Sequence, residues 1–160
     1  EAHGIGVDLS EGALDIARYN AQQNGCEKRA KFIHGSWWNA LETHNSAPEE
    51  AHNMQHNFDL IVSNPPYISN QVIPKLDPEV KNHDPILSLD GGNDGLTAYK
   101  IIFSRLKEHL LPGGIALLEI GYDQEKDVVR LSKESGLLLR TVHVDMSGNP
   151  RVVDISCGDK

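Results

Sequence analysis

The residues Asn64-Pro65-Pro66-Tyr67 could bind a flat NH2 group, and they directly follow an apolar run typical of a buried β-strand, residues 58–62. The side-chain oxygen of Asn64 and the backbone carbonyl of Pro65 can each accept one N–H of such a group. Because prolines have a fixed φ and no N–H, they hold the loop rigid and leave acceptors facing outward. The ring of Tyr67 offers a face for an amide or a base. The pattern predicts a site for a planar amide or amine nitrogen.

A plain turn is the alternative interpretation of these four residues, since Asn-Pro and Pro-Pro pairs often end a strand. Their position favours the functional interpretation. They stand at the carboxyl end of the predicted strand and include Tyr67, and open α/β sheets place their chemistry at that end.

Asp8 is a second candidate, because it ends the first apolar run, residues 4–7, and precedes a helix. An acidic residue at such a strand tip accepts hydrogen bonds from ribose hydroxyls in nucleotide-binding α/β folds. Capping the helix is the alternative role, but Ser10 suits it better. We therefore predict that Asp8 binds the ribose of a nucleotide-like cofactor.

Four other side chains have patterns with two interpretations. Trp37 and Trp38 follow the second predicted strand. The Trp37 ring could pack on an adenine, whereas a pair of tryptophans after a strand could instead fill the core, the role we expect for Trp38. His52 and His56 are spaced to share a helix face, but no third ligand or glutamate accompanies them, as zinc would require. We interpret both histidines as surface residues and predict no metal site.

Two further features have alternative interpretations. The run Gly91-Gly92-Asn93-Asp94-Gly95 lacks the lysine of a phosphate loop and the acidic alternation of a calcium loop, so we interpret it as a turn into the next helix. Glu119 near a strand end could face the site or cap a buried network, and its pattern does not separate these roles.

The elements that must position these residues alternate between strand and helix, which predicts a mostly parallel sheet closed by an antiparallel hairpin. Residues 39–57 lack periodicity and predict a surface loop with one helical turn near residues 48–52, and residues 69–94 predict an irregular stretch. Strands are predicted at residues 4–8, 31–34, 58–62, 115–120, 137–144 and 151–156, and helices at residues 10–24, 96–110 and 123–135.

Composition indicates one folded domain over residues 1–160, because 39% hydrophobic and 24% charged residues are ordinary globular values. No apolar run approaches the ~20 residues of a membrane helix, so we expect a cytoplasmic protein without membrane contact. Cys26 and Cys157 form no metal-binding or disulfide pattern. The formal net charge of −8 disfavours a nucleic acid partner.

Along nearly its whole length the chain resembles the release-factor glutamine N5-methyltransferases, the HemK-type family. The resemblance implies an α/β, Rossmann-like class I fold and S-adenosyl-L-methionine as the cofactor. It is carried by Gly6-Val7-Asp8-Leu9-Ser10, residues 59–68, residues 89–96, Pro112-Gly113-Gly114, Leu118-Glu119-Ile120-Gly121, and Asp145 through Gly148 to Arg151-Val152-Val153.

The resemblance also implies the reaction, which is methylation of the glutamine amide in the Gly-Gly-Gln motif of peptide chain release factors. It assigns substrate binding and catalysis to residues 64–67 and cofactor binding to Asp8, Ser36, Trp37 and Asn64. The family usually has an acidic residue where Ser36 stands. Its glycine-rich cofactor loop, the strand before that loop and an N-terminal domain are expected outside residues 1–160.

Two other functions are compatible with the same residues. An adenine or guanine amino methyltransferase acting on DNA or RNA could use the same loop for an exocyclic amine. An inactive fragment or interaction module would follow from the missing glycine-rich loop. A missing first strand would leave two open sheet edges, so we also predict self-association. In a eukaryote the compartment could be mitochondrial.

Overall fold

The computed structural model describes residues 1–44, 57–81 and 85–158. These residues form two compact units, one within residues 1–56 and the other within residues 57–160. Each unit has its own sheet, with two strands in the first and four in the second. That residues 1–160 make one domain stays a prediction.

The first unit is a β-α-β arrangement, as predicted. Strand β1 (Gly4–Asp8) pairs in parallel with β2 (Ala30–His34), and helix α1 (Glu11–Gln23) connects them. The Ser10 side chain caps α1 by accepting from the Ala13 N–H at 3.2 Å. Gly25, with φ of +64°, ends the helix in the left-handed conformation that glycine adopts without strain. The apolar face of α1 buries Leu14 and Ala21.

The loop predicted at residues 39–57 is partly wrong, because helix α2 (Trp37–His44) extends into it. Ala40 and Leu41 on this helix are buried, at 1% and 5% exposure, so packing stabilises a helix where polar composition predicted none. A Cβ at Gly35 would stand 2.7 Å from the Ala40 Cβ, so this close approach needs glycine. Residues 45–56, with the predicted turn near residues 48–52, lie outside the described residues.

The second unit has the strand order β3-β4-β6-β5. Strand β3 (Phe58–Ser63) is parallel to β4 (Leu110–Glu119), and β6 (Pro150–Ser156) is antiparallel to both β4 and β5 (Leu138–Val144). The predicted closing hairpin and the α/β class are therefore confirmed. Because β3, β4 and β5 point the same way, their carboxyl ends share one edge of the sheet.

Helices α5 (Thr97–His109) and α6 (Glu125–Glu134) lie where the periodicity predicted them. The core of this unit is made of side chains from α5, α6 and the strands, and it includes Tyr99, Leu106, Leu118, Val128 and Ile155, all at 0% exposure. Burying large apolar side chains is the main stabilising term in folding. Strand β4 begins at Leu110, earlier than the predicted residue 115, and includes Pro112-Gly113-Gly114 across an irregular register with β3.

The stretch predicted as irregular, residues 69–94, contains short helical pieces. A 3-10 turn covers Ile73–Lys75, and helices α3 (Pro78–Lys81) and α4 (Ile86–Leu89) follow, while residues 82–84 lie outside the described part. Ile68 forms a single parallel bridge with Asp90. Among the described helices, none is long and apolar enough to cross a membrane.

Candidate functional site

The Asn-Pro-Pro-Tyr loop (residues 64–67) leaves the carboxyl end of β3, as predicted. Asn64 is exposed, Pro65 is buried, and Pro66 and Tyr67 are half-buried. Within the described ranges, the Asn64 side chain has no hydrogen bond to another residue of this chain. Its amide is therefore available to an outside molecule, while the buried Pro65 anchors the backbone behind it.

Tyr67 connects the loop to the end of the neighbouring strand β4. Its hydroxyl donates to Glu119 Oε1 at 3.1 Å. Burial, followed by the charge of Glu119, raises the pKa of the Tyr67 phenol, so this tyrosine is a hydrogen-bond donor at neutral pH. Of the two roles left open for Glu119, contact with the loop is the one found, and this carboxylate orients the ring of Tyr67.

The segment after Tyr67 is held by the Gly-rich segment (residues 90–95). The Gly91 N–H donates to the Ile68 carbonyl at 2.8 Å, and the Asn70 N–H donates to the Gly92 carbonyl at 2.9 Å. Side chains add to this backbone pairing, because the Ser69 hydroxyl donates to the Asn93 carbonyl at 2.7 Å. The Gly-rich segment is therefore a support for the Asn-Pro-Pro-Tyr loop as well as the predicted turn.

The Gly-rich segment also leads into α5, in agreement with the sequence-based interpretation. The Asp94 carboxylate accepts from the Leu96 N–H at 3.0 Å and pairs with the Lys100 ammonium at 2.6 Å. The hydrogen bond from Lys100 and then that from Leu96 lower the pKa of Asp94. Gly95, at φ of +72°, packs so tightly that an added Cβ would stand 2.5 Å from the Tyr67 carbonyl oxygen.

Gln124, at the start of α6, contacts the loop but was missed by the sequence analysis. Its Nε2 donates to the carbonyl oxygens of Tyr67 at 3.0 Å and Gly95 at 3.1 Å. Its Oε1 accepts from the Gly121 N–H at 3.0 Å. The available signal was its place, since Gly121 and Gln124 follow the carboxyl end of β4, where open α/β sheets place functional residues.

Tyr99, on helix α5, forms a hydrogen bond to the last residue of β4. It is completely buried, and its hydroxyl donates to the Glu119 carbonyl at 2.8 Å. Burial, with the neighbouring charges of Tyr67 and Glu119, raises the pKa of the Tyr99 phenol far above its ordinary value. A neutral phenol is therefore part of the folded site.

The raised pKa values of Tyr67 and Tyr99 predict a loss of stability in alkaline solution. Above the ordinary tyrosine pKa of 10.0 the unfolded phenols ionise while the folded phenols keep their protons, so the stabilisation is complete below pH 10 and is lost as the pH rises. Urea unfolding at a series of pH values should show this fall. Tyr99→Phe removes one of the two phenols, so its stability should fall less steeply, and parallel curves would contradict the prediction.

In the first unit, Asp8 lies exposed at the carboxyl end of β1, as predicted. Its Oδ1 accepts from the Ser10 N–H at 2.7 Å, so this oxygen also shapes the turn into α1. The helix cap itself is the Ser10 hydroxyl. In the part of the chain that the structure describes, the Asp8 Oδ2 has no recorded hydrogen bond, which leaves an acceptor for a ligand.

Ser36 and Trp37 follow the carboxyl end of β2, the neighbour of β1. Both are half-buried, and the Asn39 N–H donates to the Ser36 carbonyl at 3.1 Å as α2 begins. Trp37 has a φ of +48°, an uncommon conformation for a residue other than glycine, and such strain often marks functional sites. The Trp37 ring is exposed enough to pack against a flat ligand, and Trp38 is also half-buried.

No group of three or more His, Cys, Asp or Glu side chains within residues 1–44, 57–81 and 85–158 could hold a metal ion. His52 and His56, the pair considered above, lie outside those ranges. Within the second unit the arrangement is suited to binding a planar nitrogen group by hydrogen bonds and an aromatic face. Within the first unit, the carboxylate of Asp8 and the indole of Trp37 are suited to a nucleoside.

Curated relatives match almost the whole chain. Release factor glutamine methyltransferases of Agrobacterium fabrum and Caulobacter vibrioides are 39% and 43% identical over 153 residues, which cover 96% and 95% of this chain and 48% of each relative. The bifunctional methyltransferase of Rickettsia felis is 36% identical over 152 residues, 95% of this chain and 27% of that protein. The chain thus spans about half the length of the first two relatives. No family model matches it.

Solved methyltransferase structures share the fold at low sequence identity. The ribosomal protein L11 methylase of Lactobacillus delbrueckii superposes with a TM-score of 0.58 at 18% identity, covering 95% of this chain and 56% of that one. Aeropyrum pernix fibrillarin, solved with natively bound S-adenosyl-L-methionine, gives 0.53 at 13% identity, covering 95% and 54%. The predicted Rossmann-like, class I methyltransferase fold is therefore confirmed.

Proposed function

Since the chain belongs to the release factor glutamine methyltransferase family, we propose that it methylates the side-chain amide of the glutamine in the Gly-Gly-Gln motif of a peptide chain release factor. The methyl donor is S-adenosyl-L-methionine. The observation that supports this proposal best is the Asn-Pro-Pro-Tyr loop, where an exposed Asn64 with no internal hydrogen bond among the described residues stands on a buried Pro65.

An amide nitrogen is a weak nucleophile, because its lone pair is delocalised into the carbonyl. Catalysis therefore depends on orienting the nitrogen and on hydrogen bonds that stabilise the charge developing on it. Asn64 Oδ1 accepts one N–H of the glutamine amide and the Pro65 carbonyl accepts the other. Tyr67, held by Glu119 at 3.1 Å, packs against the flat amide. Pro66 keeps the loop rigid between them.

The residues of the first unit fit the nucleoside part of the cofactor. The exposed carboxylate of Asp8 has an acceptor oxygen without an internal partner in the described residues, and ribose hydroxyls donate to such a group. The half-buried ring of Trp37 packs on the adenine, and Ser36 contacts its edge. S-adenosyl-L-methionine, when bound, supplies an electrophilic sulfonium methyl group.

Mass spectrometry of the substrate tests the function. A chimera carries this chain in place of the matching 153 residues of the Caulobacter vibrioides relative, which supplies the rest of that enzyme's length. We expect the chimera, given the cofactor, to add one methyl group to the glutamine of a release factor. A folded chimera that binds the cofactor and leaves the glutamine unmodified would contradict the proposal.

Removing the Asp8 carboxylate should weaken cofactor binding. Each hydrogen bond to a charged group contributes about 1.5–3 kcal/mol. Asp8→Ala should therefore raise the calorimetric Kd of the chimera for S-adenosyl-L-methionine at least ~10-fold. Asp15→Ala is the matched control, because that exposed carboxylate on α1 pairs with Arg18 at the surface. Equal Kd values for the two variants would exclude the ribose role.

A protein substrate suits this chain better than DNA or RNA, because its net charge of −8 repels a phosphate backbone. We place the reaction where release factors act, in the cytoplasm or, in a eukaryote, the mitochondrion. Binding to nucleic acid that weakens steeply with salt would instead favour the base methyltransferase.

The residues of β3 support self-association of the isolated chain. This strand pairs only with β4 among the described strands, and its Leu60 and Val62 side chains are 51% and 68% exposed. An open apolar strand edge pairs with other chains, and a lysine there blocks such pairing. Sedimentation of the chain should show association that grows with concentration and decreases in Val62→Lys. A monomer at every concentration would contradict it.

A further inference from the structure

Gln124 joins three segments that meet at the carboxyl edge of the second unit's sheet. Its side-chain amide contacts the Tyr67 carbonyl of the Asn-Pro-Pro-Tyr loop, the Gly95 carbonyl of the Gly-rich segment and the Gly121 N–H after β4. All three distances lie between 3.0 and 3.1 Å. The backbone of Gln124 is fixed as well, because Gln124 is the N-cap residue of α6 and its N–H donates to the Gly121 carbonyl at 2.9 Å.

The three contacts require a side chain that donates two hydrogen bonds and accepts one. Only Asn and Gln side chains combine an NH2 group with a carbonyl oxygen, so only they can donate to two carbonyls and accept from an N–H through one planar group. Glutamate has the same shape but, when ionised, only accepts. Methionine has similar length without a donor. The half-buried position makes unpaired carbonyls costly, which gives the amide a structural reason to be there.

The geometry around these contacts leaves the Tyr67 backbone little freedom. Gly95 approaches so closely that its missing Cβ would stand 2.5 Å from the Tyr67 oxygen and 2.7 Å from Gln124 Nε2. Beyond Tyr67, the Ile68 N–H donates to the Leu89 carbonyl at 3.0 Å. The Tyr67 carbonyl is thus held from α6 and from the Gly-rich segment, two residues after the Pro65 carbonyl.

We infer that Gln124 is a positioning residue that sets the direction of the Asn64 and Pro65 acceptors by tethering the Tyr67 carbonyl to α6. The inference rests on the proposed function for its kinetic consequence, although the tether itself does not. In this role Gln124 acts through the backbone of the loop and not by binding the substrate or the cofactor. Its contribution is to keep two acceptors in register with the substrate amide, and a misplacement of ~1 Å at such a site costs about 100-fold in rate.

Hydrogen exchange on this chain tests the tether without any assay of activity. In Gln124→Met, amide exchange in peptides covering residues 64–72 should become faster, because the loop loses its link to α6. Exchange in peptides covering residues 150–156 should not change. Gln22→Met is the matched control, since Gln22 is an exposed residue near the end of α1. Unchanged exchange in residues 64–72 of the Gln124 variant would overturn the inference.

Kinetics of the chimera described above test the consequence for catalysis. We expect Gln124→Met to lower kcat by ~10- to 100-fold with an unchanged calorimetric Kd for the cofactor, because displaced acceptors weaken the transition state more than they weaken binding. Circular dichroism at the assay temperature establishes that the variant is folded. A folded variant with wild-type kcat would overturn the positioning role.

Gln124→Glu adds a signature that a loss of packing alone does not produce. A protonated carboxyl can donate to one of the two carbonyls, and burial beside carbonyl oxygens raises the pKa of this glutamate above its usual ~4.3. The kcat of Gln124→Glu relative to wild type should therefore rise as the pH falls, while the same ratio for Gln124→Met stays flat. If both kcat ratios were independent of pH, the role of the Gln124 side chain as a hydrogen-bond donor would be overturned. An unmutated chimera without activity counts against the proposed function alone, and hydrogen exchange then decides the tether.

Discussion

Replacing Asn64 by alanine should lower methyl transfer to a release factor glutamine by ~100- to 1000-fold, the effect of removing one group that orients and stabilises a transition state. The physical reason is specific to this position. The Asn64 side chain is exposed and, in the described residues, makes no hydrogen bond within the chain, so its removal breaks no internal hydrogen bond there. The loss should appear in the initial rate of methylation measured by mass spectrometry.

Two further variants separate orientation from other effects of the Asn64 change. Asn64→Asp keeps the size and one acceptor oxygen but adds a charge, so activity should also fall while thermal unfolding stays as in the wild type. Asn20→Ala, an exposed change on α1, should keep full activity. A folded Asn64→Ala protein with more than about a hundredth of the wild-type rate would contradict the assigned role, because losing such a group costs at least ~100-fold.

Replacing Gly95 by alanine should strongly lower the stability of the second unit. Gly95 has a φ of +72°, and its new Cβ would stand 2.5 Å from the Tyr67 carbonyl oxygen. The left-handed backbone alone costs a residue with a Cβ about 1–2 kcal/mol. Relieving the overlap with a backbone atom adds about 1–3 kcal/mol, as overpacking does elsewhere. The free energy of unfolding, from urea denaturation, should fall by the sum of the two.

Gly113→Ala is the matched control for the Gly95 variant. Gly113 has a nearly equal φ of +79°, but nothing lies within 4 Å of its would-be Cβ. Gly113→Ala therefore has the backbone cost without the overlap. The difference in stability between the two variants measures how tightly Gly95 packs against Tyr67 and Gln124. Methyl transfer should fall in Gly95→Ala and stay near wild type in Gly113→Ala. Equal losses of stability would mean that the Asn-Pro-Pro-Tyr loop can move away from the Gly-rich segment without cost.

These two predictions have a common physical basis in the rigidity of the Asn-Pro-Pro-Tyr loop. The Asn64 side chain is exposed and makes no hydrogen bond to other described residues. The rest of the loop is held by the burial of Pro65, by the hydrogen bond between Tyr67 and Glu119, and by backbone hydrogen bonds to the Gly-rich segment. Preorganised acceptors need no reorganisation during the reaction, which is why such sites accelerate it. The contacts that stabilise the loop therefore involve its backbone and Tyr67, whereas the side chain proposed to bind the substrate makes none of them.

Local sequence determined the elements and the residues at their ends. Residues 58–62 form a strand because Phe58, Ile61 and Val62 are aromatic or β-branched, and the Asn-Pro-Pro-Tyr loop follows because a proline pair cannot continue the strand. Ser10 begins α1 and Gly25 ends it for reasons of capping and backbone conformation that operate within a few residues. The placement of Asp8 and Asn64 at strand ends followed from the same local rules.

Packing decided what those rules could not. Helix α2 forms where polar composition predicted a loop, because burial of Ala40 and Leu41 outweighs weak local preference. Only tertiary structure brings Gln124 to the Tyr67 carbonyl, 57 residues away in sequence, and sets Glu119 against the Tyr67 hydroxyl. Hydrogen bonds between distant segments produce no periodic pattern in the sequence, because they depend on where the folded elements meet. The sequence by itself therefore placed the candidate acceptors at a strand end, and the fold determined which residues hold that loop in place.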